Sequence, residues 1–230
     1  MGFHTDGGHA EYVRVPCGSV LRLPDEVEFD ESGVLPVAYT TAWNSLVNAG
    51  ELKSNERILI LGGGSGVGTA AVQIAMLIGA EVIATSGFEW KLERLKEIGV
   101  RYVINHDKED IHKKVMEFTS GEGVDVVLEQ VGSATFSTSL RCLRRGGRLV
   151  TMATTTGGDV EMNLRDIFSR NLTIRGVYLG SRGDLMKVVK LVSEGKIKAI
   201  IDASYSLERV AEAHKKMESR NIFGKILMKP

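Results

Sequence analysis

Residues 57–80 read RILILGGGSGVGTAAVQIAMLIGA. The apolar run Ile58-Leu59-Ile60-Leu61 stops at Gly62, and five glycines fall between Gly62 and Gly68. Apolar residues then recur at Val67, Ala71, Ile74, Ala75 and Ile78, in steps of three or four, the spacing of one helix face. The order is strand, glycine turn, helix. Glycine carries no Cβ, so the chain can turn sharply there and a phosphate can come close to the backbone. The helix start behind it offers unpaired N–H groups and the positive end of the helix dipole to an anion. The register that puts the turn at the strand end is Gly63-x-Ser65-x-x-Gly68, with serine in place of a middle glycine. The other register, Gly66-x-Gly68-x-x-Ala71, begins several residues past the strand. Gly63, Gly64, Ser65, Gly66, Val67 and Gly68 are therefore read as a pyrophosphate cradle, with a ligand-free glycine-rich loop as the bland alternative.

Working outward, short apolar runs at Glu81–Thr85, Tyr102–Asn105, Val124–Leu128, Gly147–Met152 and Leu172–Tyr178 read as strands. Helical patterns at Glu89–Ile98, Ile111–Phe118 and Ala134–Leu143 separate them. Strands alternating with helices require right-handed crossovers and a parallel sheet covered on both faces, a doubly wound α/β (Rossmann) dinucleotide fold. Pro36–Ala49 reads as a helix ahead of the first strand. Ser181 and Asp184 open a later helix as a capping box, with Leu185, Val188, Val189 and Val192 inward and Gly195 at its end. At the flanks, Ala10–Val15 alternates like a strand and Leu21–Pro24 like a short edge. Leu207–Glu218 reads as a helix and Lys225–Met228 as a strand. Pieces this small do not close a core alone. The expected organisation is a dinucleotide-binding domain over residues 37–195. Residues 1–36 are expected to be a remnant of a second domain, which residues 196–230 rejoin.

Composition narrows the function. The 230 residues are 43% hydrophobic and 25% charged, ordinary for a globular protein with room for one good core and a small second domain. Lys plus Arg and Asp plus Glu each number 29, so no electrostatic case exists for nucleic acid or an anionic membrane surface. No apolar run approaches the roughly 20 residues of a membrane span. The opening MGFHTDGGHA is neither basic nor apolar and does not read as a signal peptide. Cys17 and Cys142 stand far apart, which argues against a disulfide framework and fits a reducing cytoplasm. The five histidines, His4, His9, His106, His112 and His214, have no ligand spacing with Cys or a carboxylate, so no metal is expected on this chain. His214 falls on the apolar side of its helix and reads as structural.

The second strand ends at Ser86, where sheets selective for NAD carry Asp or Glu for the ribose 2′-hydroxyl. A carboxylate there repels a 2′-phosphate, whereas a hydroxyl can donate to one. Lys91 and Arg94 follow and can supply charge; as a bland alternative they form a solvated helix face. Glu89 argues the other way, because a carboxylate at the helix start can reach the ribose. On balance NADP(H) is expected over NAD(H). Ligands of such sheets sit beyond the carboxyl ends of the strands. That rule adds Gln130 and Val131, Thr154 among Ala153 to Thr155, and Leu179, Gly180 and Ser181, although Thr and Ser runs are also ordinary strand-end turns.

A set of short motifs spans the chain. They are Gly7-Gly8-His9-Ala10-Glu11-Tyr12-Val13, Leu35-Pro36 with Thr41-Ala42-Trp43, GGGSGVGTAAVQIA, Gly123-Val124-Asp125-Val126-Val127, Gly146-Gly147-Arg148-Leu149-Val150, Gly180-Ser181-Arg182 and Phe223-Gly224-Lys225-Ile226. Together they resemble the medium-chain dehydrogenase/reductase superfamily, the zinc-type alcohol dehydrogenases and quinone reductases. The resemblance implies hydride transfer to or from a carbonyl, an alcohol or an activated C=C of a small-molecule substrate. It also implies Thr41 and residues 179–181 near the nicotinamide, Lys91 near the 2′-phosphate, and a homodimer or homotetramer joined through the last strand. Members of the family are longer at the N-terminus, where a GroES-like catalytic domain supplies the zinc ligands. Most of that domain is missing from this pattern, and the position of a third ligand falls near Val37, which cannot bind metal. A truncated or non-catalytic NADP(H)-binding protein is thus the alternative expectation. No catalytic residue is assigned.

Overall fold

The computed structural model describes residue 2 and residues 4–230. Residues 4–28 run as bends and irregular chain with one short turn of 3-10 helix, Cys17–Ser19. The strands expected at Ala10–Val15 and Leu21–Pro24 do not form. A strand is defined by its ladder, and these segments have no partner strand among the described residues; Tyr12 is 91% exposed.

Helix begins earlier than expected, at Phe29. Two α-helical pieces, α1 (Phe29–Val34) and α2 (Thr40–Trp43), are joined by a wider π turn at Leu35–Tyr39, and a second one, Asn44–Ala49, follows α2. Pro36 explains the first widening. Inside a helix, proline lacks the N–H for the i−4 carbonyl and its ring crowds that carbonyl, and a wider turn relieves both.

The rest is a doubly wound α/β unit. In order come β1 (Arg57–Ile60), α3 (Gly66–Ile78), β2 (Glu81–Ser86), α4 (Glu89–Glu97), β3 (Tyr102–Asn105), α5 (Ile111–Phe118), β4 (Val124–Glu129), α6 (Phe136–Cys142), β5 (Leu143–Thr151), α7 (Leu164–Arg170), β6 (Thr173–Gly176) and α8 (Arg182–Ser193). The six strands are parallel in the order β3-β2-β1-β4-β5-β6. Side chains of a strand point alternately to its two faces. In β1 this sends Ile58 and Ile60 into one core, under α3 and the 29–49 helix, while Leu59 and the following Leu61 enter the other, with α5 and α6. All four are buried, each contributing about 1.5–3 kcal/mol. Chain order reverses between β1 and β4, and in such sheets the crevice at the carboxyl end of that reversal receives the ligand.

Three stretches differ from expectation. β5 starts at Leu143 rather than Gly147, with a register shift against β4 near Val124. Helix α7 was not foreseen: its Leu164 and Phe168 lie exposed, so no inward stripe marks it. The tail supplies β7 (Ile201–Ser206), a turn of 3-10 helix at Leu207–Arg209, α9 (Val210–Glu218) and β8 (Lys225–Lys229). β7, which the sequence reading lacked, pairs in parallel with β8 as a separate two-stranded sheet. This tail touches the N-terminal segment through the His9 and His214 rings and a Lys229–Asp30 ion pair. It also docks on the glycine turn, where Gly224 N–H donates to the Gly64 carbonyl at 3.0 Å.

Candidate functional site

The glycine turn takes the register Gly63-x-Ser65-x-x-Gly68. Ser65 is the N-cap of α3, and its hydroxyl accepts the Gly68 N–H at 2.9 Å. Gly62 has φ +64°, a left-handed conformation that favours glycine. At Gly68 a Cβ would lie 2.2 Å from the Gly62 carbonyl, so only glycine lets α3 start this close to β1. The turn is tied to β2 by Gly63 N–H donating to Thr85 O (2.9 Å) and Gly62 N–H donating to Thr85 Oγ1 (3.1 Å). On the other side the Gln130 amide donates to the Leu61 and Gly62 carbonyls, and its oxygen accepts the Ser65 hydroxyl at 3.2 Å.

Over this turn opens a cleft of about 600 Å³. Gly62, Gly64, Ser65 and Gly66 form its floor. Ser86, Gly87, Phe88 and Lys91 wall it at the end of β2, His106 and Asp107 at the end of β3, Gln130 and Val131 at the end of β4, and Thr155 and Thr156 after β5. The tail closes the remaining side with Met217, Arg220, Ile222, Gly224 and Lys225. Gly63, Val67 and Gly68 lie behind the floor and shape it without lining it. Thr41, Thr154, Leu179, Gly180 and Ser181 are also outside the lining. Thr41 is buried in the 29–49 helix with no hydrogen-bond partner for its hydroxyl among the described residues. The Leu179 carbonyl accepts the Asn44 amide at 2.6 Å, and Ser181 forms a capping box with Asp184 at the start of α8.

Three cations face the cleft. The Lys91 ammonium donates to the Arg220 carbonyl at 2.6 Å and lies 4.9 Å from the centre of the Phe88 ring. Burial pulls its pKa down, opposed by the charge of Asp202. Arg220, an exposed residue, lines the cleft from the tail. Lys225 is the most telling: burial lowers its pKa too, and its ammonium has no ion pair or hydrogen bond among the described residues. Lys225 is half-buried, and a partly desolvated ammonium without an acceptor is stabilised by an anion that joins it. The only carboxylate in the lining is Asp107. His106, whose Nδ1 is 3.3 Å from Thr85 Oγ1, is held below its ordinary pKa, first by burial and also by the Lys91 charge, against the opposing pull of Asp107.

Glu89 does not line this cleft. Its carboxylate accepts from Asn105 and Lys108, both at 2.7 Å, and these contacts, Lys108 first, lower its pKa. Arg94 is likewise outside, stacked over Phe223 and paired with Glu97. Phe88, His106, Asp107, Arg220 and Lys225 were not anticipated. The strand-end rule extended to β3 would have found His106 and Asp107. Arg220 and Lys225 reach the cleft through a tail whose return carries no local signal. Burial pushes the Cys142 thiol up to about 12, which removes it as a nucleophile. Among the described residues no three His, Cys, Asp or Glu side chains cluster to hold a metal ion.

A family model described as zinc-binding dehydrogenase matches residues 66–194. The quinone oxidoreductase of Homo sapiens is 30% identical over 214 residues, covering 90% of this chain and 64% of that protein. A zinc-type alcohol dehydrogenase-like protein of Schizosaccharomyces pombe is 30% identical over 236 residues, covering 100% of this chain and 68% of that one. Among solved structures, an NAD-dependent alcohol dehydrogenase superposes with a TM-score of 0.94 at 33% identity, covering 100% of this chain and 67% of its own. The chain thus spans about two thirds of the length of the relatives it matches.

Proposed function

The chain belongs to the zinc-binding dehydrogenase family, and from that membership we propose that it is the cofactor-binding part of an oxidoreductase that uses NADP(H). The observation that carries the reading is the cleft over the glycine turn, with Lys91, Arg220 and Lys225 around it and Ser86 where an acid would disfavour a 2′-phosphate. The partnerless Lys225 ammonium, carried on a stem that packs against Gly66, fits a pyrophosphate. Ser86, Lys91 and Arg220 fit the adenosine 2′-phosphate, with Phe88 and His106 against the adenine-ribose end. Thr41, Thr154, Leu179, Gly180 and Ser181 would then border the nicotinamide half. The solved relative at 33% identity is NAD-dependent; in this chain the tethering of Glu89 to Asn105 and Lys108 supports the phosphorylated cofactor instead.

When bound, the nicotinamide supplies a hydride to an electrophilic carbon of a carbonyl or activated alkene, or takes one from an alcohol. The chain's own residues bind and orient the dinucleotide and keep cations beside its phosphates. The residues present do not fit a catalytic zinc: Val37 has no donor atom and no metal-ligating trio occurs among the described residues. Polarisation of a substrate by a metal is therefore not assigned to this chain. A second reading, binding without turnover, is favoured by one observation: Tyr12, Val13 and Val15 lie exposed and take no part in lining the cleft. The proposed setting is the cytoplasm; no helix is long and apolar enough to cross a membrane among the described residues.

Titration with NADPH and NADH, read by protein fluorescence from Trp90 near the cleft, tests the cofactor. NADPH should bind at least about tenfold more tightly, the equivalent of about 1.4 kcal/mol; equal or tighter NADH binding overturns the 2′-phosphate assignment. Turnover on a panel of quinones, enones, aldehydes and alcohols separates the two readings.

A further inference from the structure

Glu129, at the end of β4, is 0% exposed and has no cationic partner among the described residues. Four neutral donors hold its carboxylate. Val131 N–H and Gly132 N–H donate to Oε1 at 2.7 and 3.0 Å. The Thr135 hydroxyl lies 3.0 Å from both oxygens, and the Ser139 hydroxyl donates to Oε2. Burying a carboxylate without a cation is costly, and here the return is geometric. The chain from 129 to 132 curls around its own side chain, which aims Gln130 at the Leu61 and Gly62 carbonyls and at the Ser65 hydroxyl. Ser65 in turn caps α3. The same curl presents the Gln130 and Val131 carbonyls to Thr155 and Thr156 on the far wall. Glu129 itself does not line the cleft.

We propose that Glu129 is a positioning residue for the dinucleotide: through Gln130 it fixes the glycine turn and the pyrophosphate–nicotinamide side of the cleft. This rests on the cofactor reading above. It separates two halves of the site, because Ser86, Lys91 and His106 at the adenosine end belong to β2, α4 and the end of β3, away from the Glu129 cage.

The donor set predicts which replacement is tolerated. In Glu129→Gln the amide oxygen can face the two backbone N–H groups, while its NH2 faces the hydroxyls of Thr135 and Ser139, which can rotate to accept. Glu129→Leu leaves Val131 and Gly132 N–H buried and unpaired. Isothermal titration of the full chain with NADPH and with adenosine 2′-monophosphate, which occupies the adenosine end alone, reads the difference. Glu129→Gln should keep both affinities within about threefold. Glu129→Leu should weaken NADPH by about tenfold or more, the effect of one unpaired buried group, and leave adenosine 2′-monophosphate within about threefold. Unchanged NADPH binding by Glu129→Leu, or equal loss of both ligands, overturns the proposal. If Glu129→Leu does not fold, Thr135→Val removes one donor and should give a smaller loss confined to NADPH; no loss there overturns it. Wild-type protein that binds neither ligand refutes the cofactor reading instead. Amide exchange at Val131 and Gly132, slow in wild type and Glu129→Gln and fast in Glu129→Leu, then still decides whether the cage holds the turn.

Discussion

Lys225 concentrates the chemistry of the cleft. Its side chain is half-buried with its aliphatic stem against Gly66, and its ammonium has no anion of its own among the described residues. If a pyrophosphate completes it, Lys225→Met should weaken NADPH and NADH alike, by about tenfold, because both carry that group. Arg220→Ala should weaken NADPH selectively, because only NADPH carries the 2′-phosphate; fluorescence titration of each variant with both cofactors checks the contrast. The pH dependence has a definite sign. Burial favours the neutral amine, so the folded pKa lies below the ordinary lysine value. Raising the pH through that lowered value removes the cation, and cofactor affinity should begin to fall before the pH reaches about 10.4. In the free protein the same group works the other way. Between the two pKa values the unfolded chain binds more protons, so stability from this group rises with pH across that window. Ser86 and Gln130 were legible in the sequence because strand ends lie next to their strands. Lys225 was quoted within a motif but given no role, since its place beside Gly66 arises from a contact about 160 residues away along the chain. Glu89 was weighed only as a counter-argument, a carboxylate able to reach the ribose, and the neighbouring strand end, with Asn105 and Lys108, shows where that carboxylate goes.

At the level of elements, the strand–turn–helix unit was readable because each piece has a local cause. Apolar β1 stops at glycines, Ser65 caps, and α3 follows with a regular stripe. The close start of α3 makes a sharp prediction. In Gly68→Ala the new methyl would meet the backbone of Gly62 and Gly63 rather than a movable side chain. The helix must shift off the strand, at about 1–3 kcal/mol, so the thermal midpoint should drop and cofactor binding should weaken together. Unaltered melting and binding would show that the turn is looser than its geometry. Ser65→Ala should cost less, about 1 kcal/mol for a lost N-cap, and would also free the Gln130 amide oxygen. The elements the sequence hid fail this local test. β7 is a strand only because β8 lies beside it. The Ala10–Val15 segment alternates just as well and is not one, because alternation records exposure and the ladder needs a partner. The π turns at Leu35–Tyr39 and Asn44–Ala49 were invisible because periodicity tolerates a helix that widens without stopping.

For the whole molecule, the unresolved demand is the open side of β6. Its four residues pair with β5 alone, and the other edge faces no strand among the described residues. An unpaired edge invites association. The segments before and after it in the chain carry large exposed apolar side chains: Tyr178 is 80% exposed, Phe168 69% and Leu164 67%. A twofold pairing of β6 with its copy would satisfy the edge and bury these residues on both subunits in one step. A stable contact needs about 1,200–2,000 Å² of total buried surface, more than a four-residue edge provides, so α7 must contribute. Light scattering at micromolar concentration should therefore report a dimer or a tetramer. Because Leu164 and Phe168 are exposed on the single chain, Leu164→Asp with Phe168→Asp should leave the fold and NADPH binding intact while shifting the mass to that of the monomer. A wild-type monomer at that concentration refutes the association. A double variant that stays oligomeric moves the interface away from α7 and β6, to the exposed apolar residues of the N-terminal segment.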